Sequence, residues 1–321
     1  MPRFVSPHYA TLAAHAWTIG PNLRHRVLGR TAPSSEAWST TLQDPDVGPV
    51  VLRGALRRER DSRVCVLVVH GLGGAIDRHY CIEAAHAAHA AGVSCLRIGL
   101  RGADRRGEDF YHAGLIADVA AALASPALAD VEQLYVLGYS LGGHVTLRYA
   151  LEPSDRRVRA IAAVCAPLDL ELGAQLIDQP RSVLYRNHVL SGLNEIYAAV
   201  AQRRAVPTPV AQLKRARRIR DWDSLAVVRR YGFGTAENYY ASMSVGPRLH
   251  ELSVPSLLVQ SQHDPMVPPW TYERHLQRTL PQLEVHSLAS GGHVAFPHVR
   301  FGSALHAAPI AEHILSWLLQ H

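Results

Sequence analysis

The chain of 321 residues is 48% hydrophobic and 19% charged, which is typical of a globular protein and excludes disordered and fibrous classes. Its formal net charge is +6, and Lys214 is the only lysine among 33 basic residues. No apolar run approaches the roughly 18 residues of a membrane span, and the amino-terminal segment lacks the apolar stretch of a signal peptide. We therefore expect a soluble, cytoplasmic protein without a transmembrane segment.

Short aliphatic and β-branched runs predict strands, and these runs are continuous, as expected for strands covered on both faces. They cover residues 50–56, 64–69, 93–98, 133–138, 158–164, 256–260 and 283–288. Helix-like segments occupy residues 80–91, 112–124, 141–151, 270–279 and 308–319. This alternation predicts an α/β fold with a mostly parallel sheet and helices on both faces.

The alternation stops between Pro167 and about His250, where helix-like patterning continues without a convincing strand. In a fold whose strands otherwise recur at short intervals, such a stretch is most simply an insertion at the top of the sheet. We predict one core formed by residues 1–166 and 251–321, with a helical lid or cap at residues 167–250.

No metal site is predicted. The cysteines show no CxxC spacing and are interpreted as reduced core residues: Cys65, Cys81, Cys95 and Cys165. Histidines recur near helical spacing, but without a carboxylate or cysteine at ligand spacing they indicate a polar helix face: His79, His86 and His89.

A basic cluster occupies residues 214–220. It is interpreted as a solvated helix face partly compensated by Asp221 and Asp223, and no nucleic-acid module accompanies it. Nucleic acid is therefore not an expected partner, whereas peripheral contact with an anionic membrane surface stays open.

The strongest motif is a GxSxG sequence centred on Ser140, between Gly138 and Gly142. It follows the strand predicted at 133–138 and begins the next helix, which is the context of a nucleophile elbow. The serine must occupy a strained turn above the sheet, and glycines two residues away on each side avoid a collision. Ser140 is the predicted nucleophile, and the N–H of Leu141 is predicted to face a developing oxyanion.

A second glycine-rich loop, from His70 to Gly74, follows the strand predicted at 64–69. Its glycines allow close approach to a substrate carbonyl, so the N–H of Leu72 is the expected second oxyanion donor. His70 is interpreted as a residue that orients this loop by hydrogen bonds. Together with Tyr139 and His112, it is a candidate residue of the substrate pocket.

The other two catalytic candidates follow from chain order, since this type of elbow is followed by an acid and then by a histidine, each after a strand. His293 follows the last predicted strand, and Asp264 follows the strand predicted at 256–260. Asp169, after the strand predicted at 158–164, is the alternative acid. Asp118 lies inside a predicted helix, where a capping role or a structural salt bridge is expected.

Several further motifs occur in order along residues 50–300: Leu100-Arg101-Gly102, Tyr111-His112-Ala113-Gly114 with Asp118, and Ala236-Glu237-Asn238-Tyr239-Tyr240. With the two glycine loops, they resemble the YheT-like branch of α/β-hydrolases, a group of esterases and lipases. The resemblance implies an α/β-hydrolase fold and supports the triad and oxyanion residues named above. His144, where asparagine is expected, and Ala103-Asp104 after the Arg-Gly pair depart from the pattern and bear on acyl specificity.

The resemblance implies hydrolysis of small-molecule carboxylic esters with short or medium acyl chains. The triad predicts two-step acyl transfer, which needs no metal or organic cofactor. A catalytically silent scaffold that binds a ligand or partner is the alternative from another class. A thioesterase, amidase or acyltransferase would use the same triad, and the sequence leaves the oligomeric state open.

Overall fold

The computed structural model describes residues 12–299 and 307–321, with a single eight-stranded sheet as its centre. The strands are β1 (Glu36–Asp44), β2 (Gly48–Arg57), β3 (Val64–Val69), β4 (Ser94–Gly99), β5 (Gln133–Tyr139), β6 (Val158–Val164), β7 (Ser256–Ser261) and β8 (Leu283–Leu288). Their order in the sheet is β1-β2-β4-β3-β5-β6-β7-β8. The six strands from β4 to β8 in this order are parallel, whereas β2 pairs antiparallel with both β1 and β4.

The seven strands expected from aliphatic runs are present, with boundaries shifted by two residues at most. Strand β1 was not predicted, because this edge strand is mostly polar and buries only Trp38. The expectation that every strand is covered on both faces is wrong for β2 and β8. Both lie near the edges of the sheet and keep several side chains partly or fully exposed.

The helices of the core cover both faces of the sheet. They are α1 (Leu12–Leu28), α2 (His79–Ala90), α3 (Ala117–Leu123), α4 (Leu141–Tyr149) and α11 (Ile310–Leu318). Helices α2 and α11 pack with one buried cluster, and α3 and α4 pack with the other. The four cysteines are buried and free, as predicted. No helix in the described ranges combines the length and apolar character needed to cross a membrane.

Two helix predictions need correction. The segment at 270–279 forms two short 3₁₀ turns, Pro269–Thr271 and Glu273–Leu276, because Tyr272 between them has a φ of −133°, outside the helical range. Helix α1 was not predicted; its residues include Gly20 and Pro21. Both residues have low helix propensity, which hides the helix from a propensity argument.

The connection between β6 and β7 is helical, as expected for residues 167–250. It contains α5 (Leu170–Ile177), α6 (Val183–Ala201), α7 (Val210–Leu213), α8 (Ile219–Leu225), α9 (Val227–Tyr231) and α10 (Ala236–Met243). Because β6 and β7 are adjacent parallel strands, this insertion leaves the sheet at the carboxyl end of β6 and returns before β7. It therefore lies over the edge at which the nucleophile elbow is found.

A buried ion network joins the insertion to the core. The guanidinium of Arg101 is fully buried and contacts Asp44 at 2.6 Å, Asp109 at 3.1 Å and Asp118 at 2.8 Å. Arg230 of α9 contacts Asp109 at 2.8 Å and Asp44 at 3.2 Å. The expected structural salt bridge of Asp118 is thus confirmed. The network shares carboxylates between two arginines, which offsets the cost of burying their charges.

Replacement of Asp118 by alanine should lower the free energy of unfolding by about 3–5 kcal/mol, because it leaves the buried Arg101 charge without its partner on α3. Urea denaturation measures this change. Glu132→Ala is the matched control, since the Glu132–Arg63 pair is more than 60% exposed on both sides and should contribute less than about 1 kcal/mol. Equal losses in the two variants would contradict a stabilising role for the network.

Candidate active site

The GxSxG motif forms a sharp turn between β5 and α4. Ser140 has a φ of 53° and a ψ of −121°, a strained backbone conformation for a residue with a side chain. A side-chain carbon added at Gly138 would collide with the Gly142 carbonyl, and one added at Gly142 would collide with the carbonyls of Val69 and His70. Glycine is therefore required at both positions, and the close backbone contacts hold the Ser140 hydroxyl above the sheet.

The three predicted triad residues form one hydrogen-bonded chain. Ser140 Oγ lies 2.8 Å from His293 Nε2, and His293 Nδ1 lies 2.8 Å from Asp264 Oδ2. With Nδ1 donating its proton to the carboxylate, Nε2 is free to accept from the serine hydroxyl. The three residues predicted from their order along the chain lie on separate loops, and the fold brings their side chains together.

Asp264 is buried, and burial alone would raise the pKa of its carboxyl group. The attraction and hydrogen bond of His293 oppose burial, as do the amides of Met266 at 2.7 Å and Val267 at 3.0 Å. These contacts outweigh burial and lower the pKa below its ordinary value. The carboxylate is therefore charged at neutral pH and can stabilise a protonated His293.

The two residues whose amides are predicted to form the oxyanion hole, Leu72 and Leu141, line the same cavity as Ser140. In the loop after β3, Gly71 N–H donates to the Tyr80 hydroxyl and Gly73 N–H donates to the Tyr111 hydroxyl. The intervening Leu72 N–H has no acceptor within the described residues, and the same is true of the Leu141 N–H at the start of α4. Both predicted donors are therefore available to a ligand oxygen.

His70 orients the glycine loop. Its Nδ1 lies 2.7 Å from the Gly71 carbonyl, and its Nε2 accepts a hydrogen bond from the Leu100 amide. Burial lowers the pKa of His70 to about 4, so the ring is neutral. Both contacts fit a residue that orients this loop, and the residues that line the cavity beside Ser140 do not include His70, so the structure gives no support for its place in the substrate pocket.

A cavity of about 430 Å³ opens onto Ser140 and His293. Its walls include side chains from the insertion, among them Leu170, Ile177, Val189, Trp222 and Tyr239, and residues of α1, among them Ile19 and Leu23. His112 lines the cavity, as predicted. Tyr139 is not among the lining residues; its ring packs behind Tyr80, which does line the cavity, with ring centroids 4.7 Å apart.

Helix α1 packs directly on the histidine loop, a contact that the sequence analysis missed. Thr18 Oγ1 accepts a hydrogen bond of 2.9 Å from the His293 amide. A side-chain carbon at Gly292 would collide with Ala14 and Thr18 of α1. Only the Gly291-Gly292 pair before His293 could have indicated that another segment approaches this loop closely.

Cys165 lies immediately behind the triad. It directly follows β6 with a φ of 49°, and its Sγ accepts a hydrogen bond of 3.3 Å from the Val294 amide. Its Sγ also lies within 4.8 Å of the ligand atoms of Asp264 and His293. Burial raises the pKa of this thiol well above its ordinary value, so it remains protonated. The sequence identified Cys165 as a core residue but gave no signal of its position beside the acid.

Asp169, the alternative acid, has a different role. It is the N-cap of α5, where its Oδ1 accepts a hydrogen bond of 2.9 Å from the Leu172 amide. Its other oxygen forms an ion pair with Arg274. These contacts hold Asp169 apart from His293, whose Nδ1 is already bonded to Asp264.

The basic cluster at residues 214–220 differs from its interpretation as a solvated helix face. The basic cluster is exposed but lies mostly in the connection between α7 and α8, so it is not a helix face. Arg220 forms ion pairs with Glu171 and Glu237, and the expected compensation by Asp223 is wrong because Asp223 is buried.

Within the described residues, the one group of side chains close enough together to hold a metal ion consists of Cys165, Asp264 and His293. It contains none of the three histidines that recur near helical spacing, His79, His86 and His89.

His144, which stands where the family pattern has asparagine, has a structural role. This buried ring lies between two carbonyl oxygens, with Nδ1 2.7 Å from Pro167 O and Nε2 2.9 Å from Met243 O. Pro167 stands at the beginning of the insertion and Met243 ends its last α-helix. Burial lowers the pKa of His144 to about 4, so the neutral ring donates to one of these carbonyls and only contacts the other, and it packs between the two ends of the insertion.

Comparisons with known proteins agree with this architecture. A sequence profile of the α/β-hydrolase fold matches residues 64–297. The chain is 30% identical over 243 residues to YheT of Escherichia coli (strain K12), a predicted esterase, and this match covers 72% of the chain and 70% of YheT. It is 27% identical to a monoacylglycerol lipase of Saccharomyces cerevisiae (strain ATCC 204508 / S288c), covering 56% of the chain and 42% of that lipase. Human phospholipase ABHD3 is 21% identical, and the match covers 74% of the chain and 60% of ABHD3.

The matches to the yeast lipase and to human ABHD3 span less than two thirds of the length of those two relatives. Among solved structures, the esterase domain of a Rhodothermus marinus protein aligns with a TM-score of 0.53 at 14% identity, covering 89% of this chain and 98% of that domain. A hydrolase from Pseudomonas aeruginosa PA01 aligns with a TM-score of 0.50 at 18% identity, covering 80% and 91%. At these identities the structures support the fold alone. The chain belongs to the α/β-hydrolase fold family, in its YheT-like branch, and is a hydrolase of that family.

Proposed function

We propose that the protein is a serine hydrolase that cleaves carboxylic esters through an acyl-enzyme intermediate. The observation that carries the proposal is the continuous hydrogen-bonded chain from Ser140 through His293 to Asp264, with both links at 2.8 Å. A hydroxyl, an imidazole and a carboxylate in this order are the components that activate a serine for acyl transfer.

In the first step, His293 Nε2 takes the proton of Ser140 as Oγ attacks the ester carbonyl carbon. The oxyanion that forms accepts hydrogen bonds from the N–H groups of Leu72 and Leu141. The imidazolium then gives its proton to the leaving alcohol as the bond between the carbonyl carbon and the alcohol oxygen breaks. Asp264 stays ionised throughout and holds the imidazole in its productive tautomer.

In the second step, His293 accepts a proton from a water molecule that attacks the acyl group on Ser140. Collapse of the tetrahedral intermediate returns the proton to Ser140 Oγ and releases the carboxylic acid. Over the two steps, one ester and one water are consumed, one alcohol and one carboxylic acid are released, and Ser140 and His293 return to their starting protonation states.

The substrate class follows from the cavity and the relatives. A volume of about 430 Å³ with mostly apolar walls suits a small ester with a short or medium acyl chain. The relatives named as an esterase and as lipases favour the ester over the thioester and amide alternatives, which would use the same three residues. In this proposal the insertion at 167–250 is the lid that shapes the cavity.

Ser140→Ala should lower kcat for p-nitrophenyl butyrate by several orders of magnitude, roughly a millionfold in well-studied triads, because it removes the attacking oxygen. Steady-state release of p-nitrophenol measures the change. Ser191→Ala, at an exposed position on α6, is the matched control and should retain wild-type turnover. Hydrolysis by Ser140→Ala at the control rate would end the proposal, whereas inactivity of all three proteins on a panel of esters would favour a silent scaffold.

Asp264→Asn should lower kcat by about ten-thousandfold, as in a well-known triad, because the amide favours the wrong imidazole tautomer. Asp169→Asn is the control that separates the two candidate acids, since asparagine preserves an N-cap and should leave kcat nearly unchanged. The same p-nitrophenyl butyrate assay compares them. A larger loss in Asp169→Asn than in Asp264→Asn would reverse the assignment of the acid.

A further inference from the structure

A buried carboxyl group lies in the wall of the substrate cavity. Asp223, on α8, lines the same cavity as Ser140 and is only 8% exposed. Its Oδ2 accepts a hydrogen bond of 2.6 Å from the Tyr240 hydroxyl. Its Oδ1 has no hydrogen-bond partner within the described residues, and no basic side chain among them forms an ion pair with Asp223.

The surroundings leave this carboxyl group uncompensated. Arg220 lies 5.6 Å from the centroid of the Tyr240 ring, but its guanidinium pairs with Glu171 and Glu237. Burial raises the pKa of Asp223 to about 7, opposed by the Tyr240 hydrogen bond and reinforced by the negative charge of Asp178. A carboxylate oxygen that lines a cavity and has no protein partner is open to a ligand donor, and such groups are candidates for ligand recognition.

The neighbouring wall of the cavity is apolar or aromatic. Ile219, Trp222 and Val227 of α8 and α9 line it, and Tyr239 lines it from α10. A single polar group in such a wall fixes the orientation of a ligand, because a ligand donor placed elsewhere on this wall would lose its hydrogen bonds to water.

We propose, on the basis of the esterase function above, that Asp223 is a polar recognition point in the wall that the insertion contributes to the cavity. The natural ester then carries a hydrogen-bond donor, a hydroxyl or an amino group, on the part of the molecule held by the insertion. That donor binds Asp223 Oδ1 while Tyr240 keeps Oδ2 in place.

The preference for esters with a donor over esters without one follows from the free energy lost when Asp223 Oδ1 has no hydrogen-bond partner. An ester without the donor removes water from Oδ1 and supplies nothing in return, so it should be a poorer substrate by about tenfold to a hundredfold in kcat/KM. A hydroxyl needs only an acceptor oxygen, whereas an ammonium group also needs the negative charge. Substitutions that separate these two requirements therefore identify the donor.

The test compares kcat/KM for esters of equal length that end in hydroxyl, amino or methoxy groups. One series carries these groups on the acyl chain of p-nitrophenyl esters, with chains of graded length, and a second carries them on the alcohol part of butyrate esters. In the wild type, we expect one series to favour the hydroxyl or amino ester over the methoxy ester by at least about tenfold.

Asp223→Leu should reduce that ratio to about one. Asp223→Asn, the conservative variant, should keep a preference for hydroxyl, because its amide oxygen still accepts a hydrogen bond, but should lose a preference for amino. Asp221→Asn is the matched control, since Asp221 is two residues away on the same helix and exposed, and it should keep the wild-type ratio.

Labelling of Ser140 by a fluorophosphonate, measured in the wild type and each variant, tests the esterase separately. Labelled wild-type protein with equal kcat/KM for hydroxyl, amino and methoxy esters in both series would overturn the role of Asp223 and leave the esterase in place. Unlabelled wild-type protein that hydrolyses none of the esters would overturn the esterase itself. Loss of the ratio in Asp221→Asn as well as in Asp223→Leu would also overturn the specific role of Asp223.

Discussion

The close backbone packing at the elbow is the constraint on which the site depends. Ser140 adopts its positive φ because the chain must turn from β5 into α4 within one residue. That turn fits only because Gly138 and Gly142 have no side chains at the point where two loops meet. A methyl group at Gly142 would push the loop after β3 away from Ser140, and Leu72 would move with it, whereas one at Gly138 would push Gly142 itself out of the turn.

A second constraint is the burial of polar groups around this turn. Asp264 is ionised and buried because His293 and two amides compensate its charge. Arg101 and Arg230 are compensated in the same way by shared carboxylates beneath the insertion. Asp223 is the contrast, because within the described residues a tyrosine hydroxyl is its sole hydrogen-bond partner. The difference between compensated and uncompensated carboxylates therefore separates structural and triad groups from a group that is free to meet a ligand.

Much of this architecture could be predicted from the sequence, because strands and triad obey local rules. Aliphatic runs located seven strands, and the order of serine, acid and histidine after successive strands located Ser140, Asp264 and His293. Features that depend on tertiary contacts could not be found in this way. The helix α1 has poor local propensity, and the thiol of Cys165 reaches the triad only because β6 ends beside the acid loop.

Asp223 shows the limit most clearly. Asp221 and Asp223 look alike in the sequence, but two residues along a helix correspond to a rotation of about 200°, so they point to opposite sides. Asp221 is exposed and Asp223 lines the cavity. A short helix beside a charged cluster gives no periodic signal strong enough to tell which acid faces inward.

The most direct test of the central claim is to locate a fluorophosphonate adduct by peptide mass spectrometry in the wild type and in His293→Ala. If Ser140, His293 and Asp264 act as one unit, the wild type should carry one adduct, on the peptide that contains Ser140, and the variant should react far more slowly. An adduct on another residue, or equal labelling rates with and without the imidazole, would contradict the claim that His293 activates Ser140.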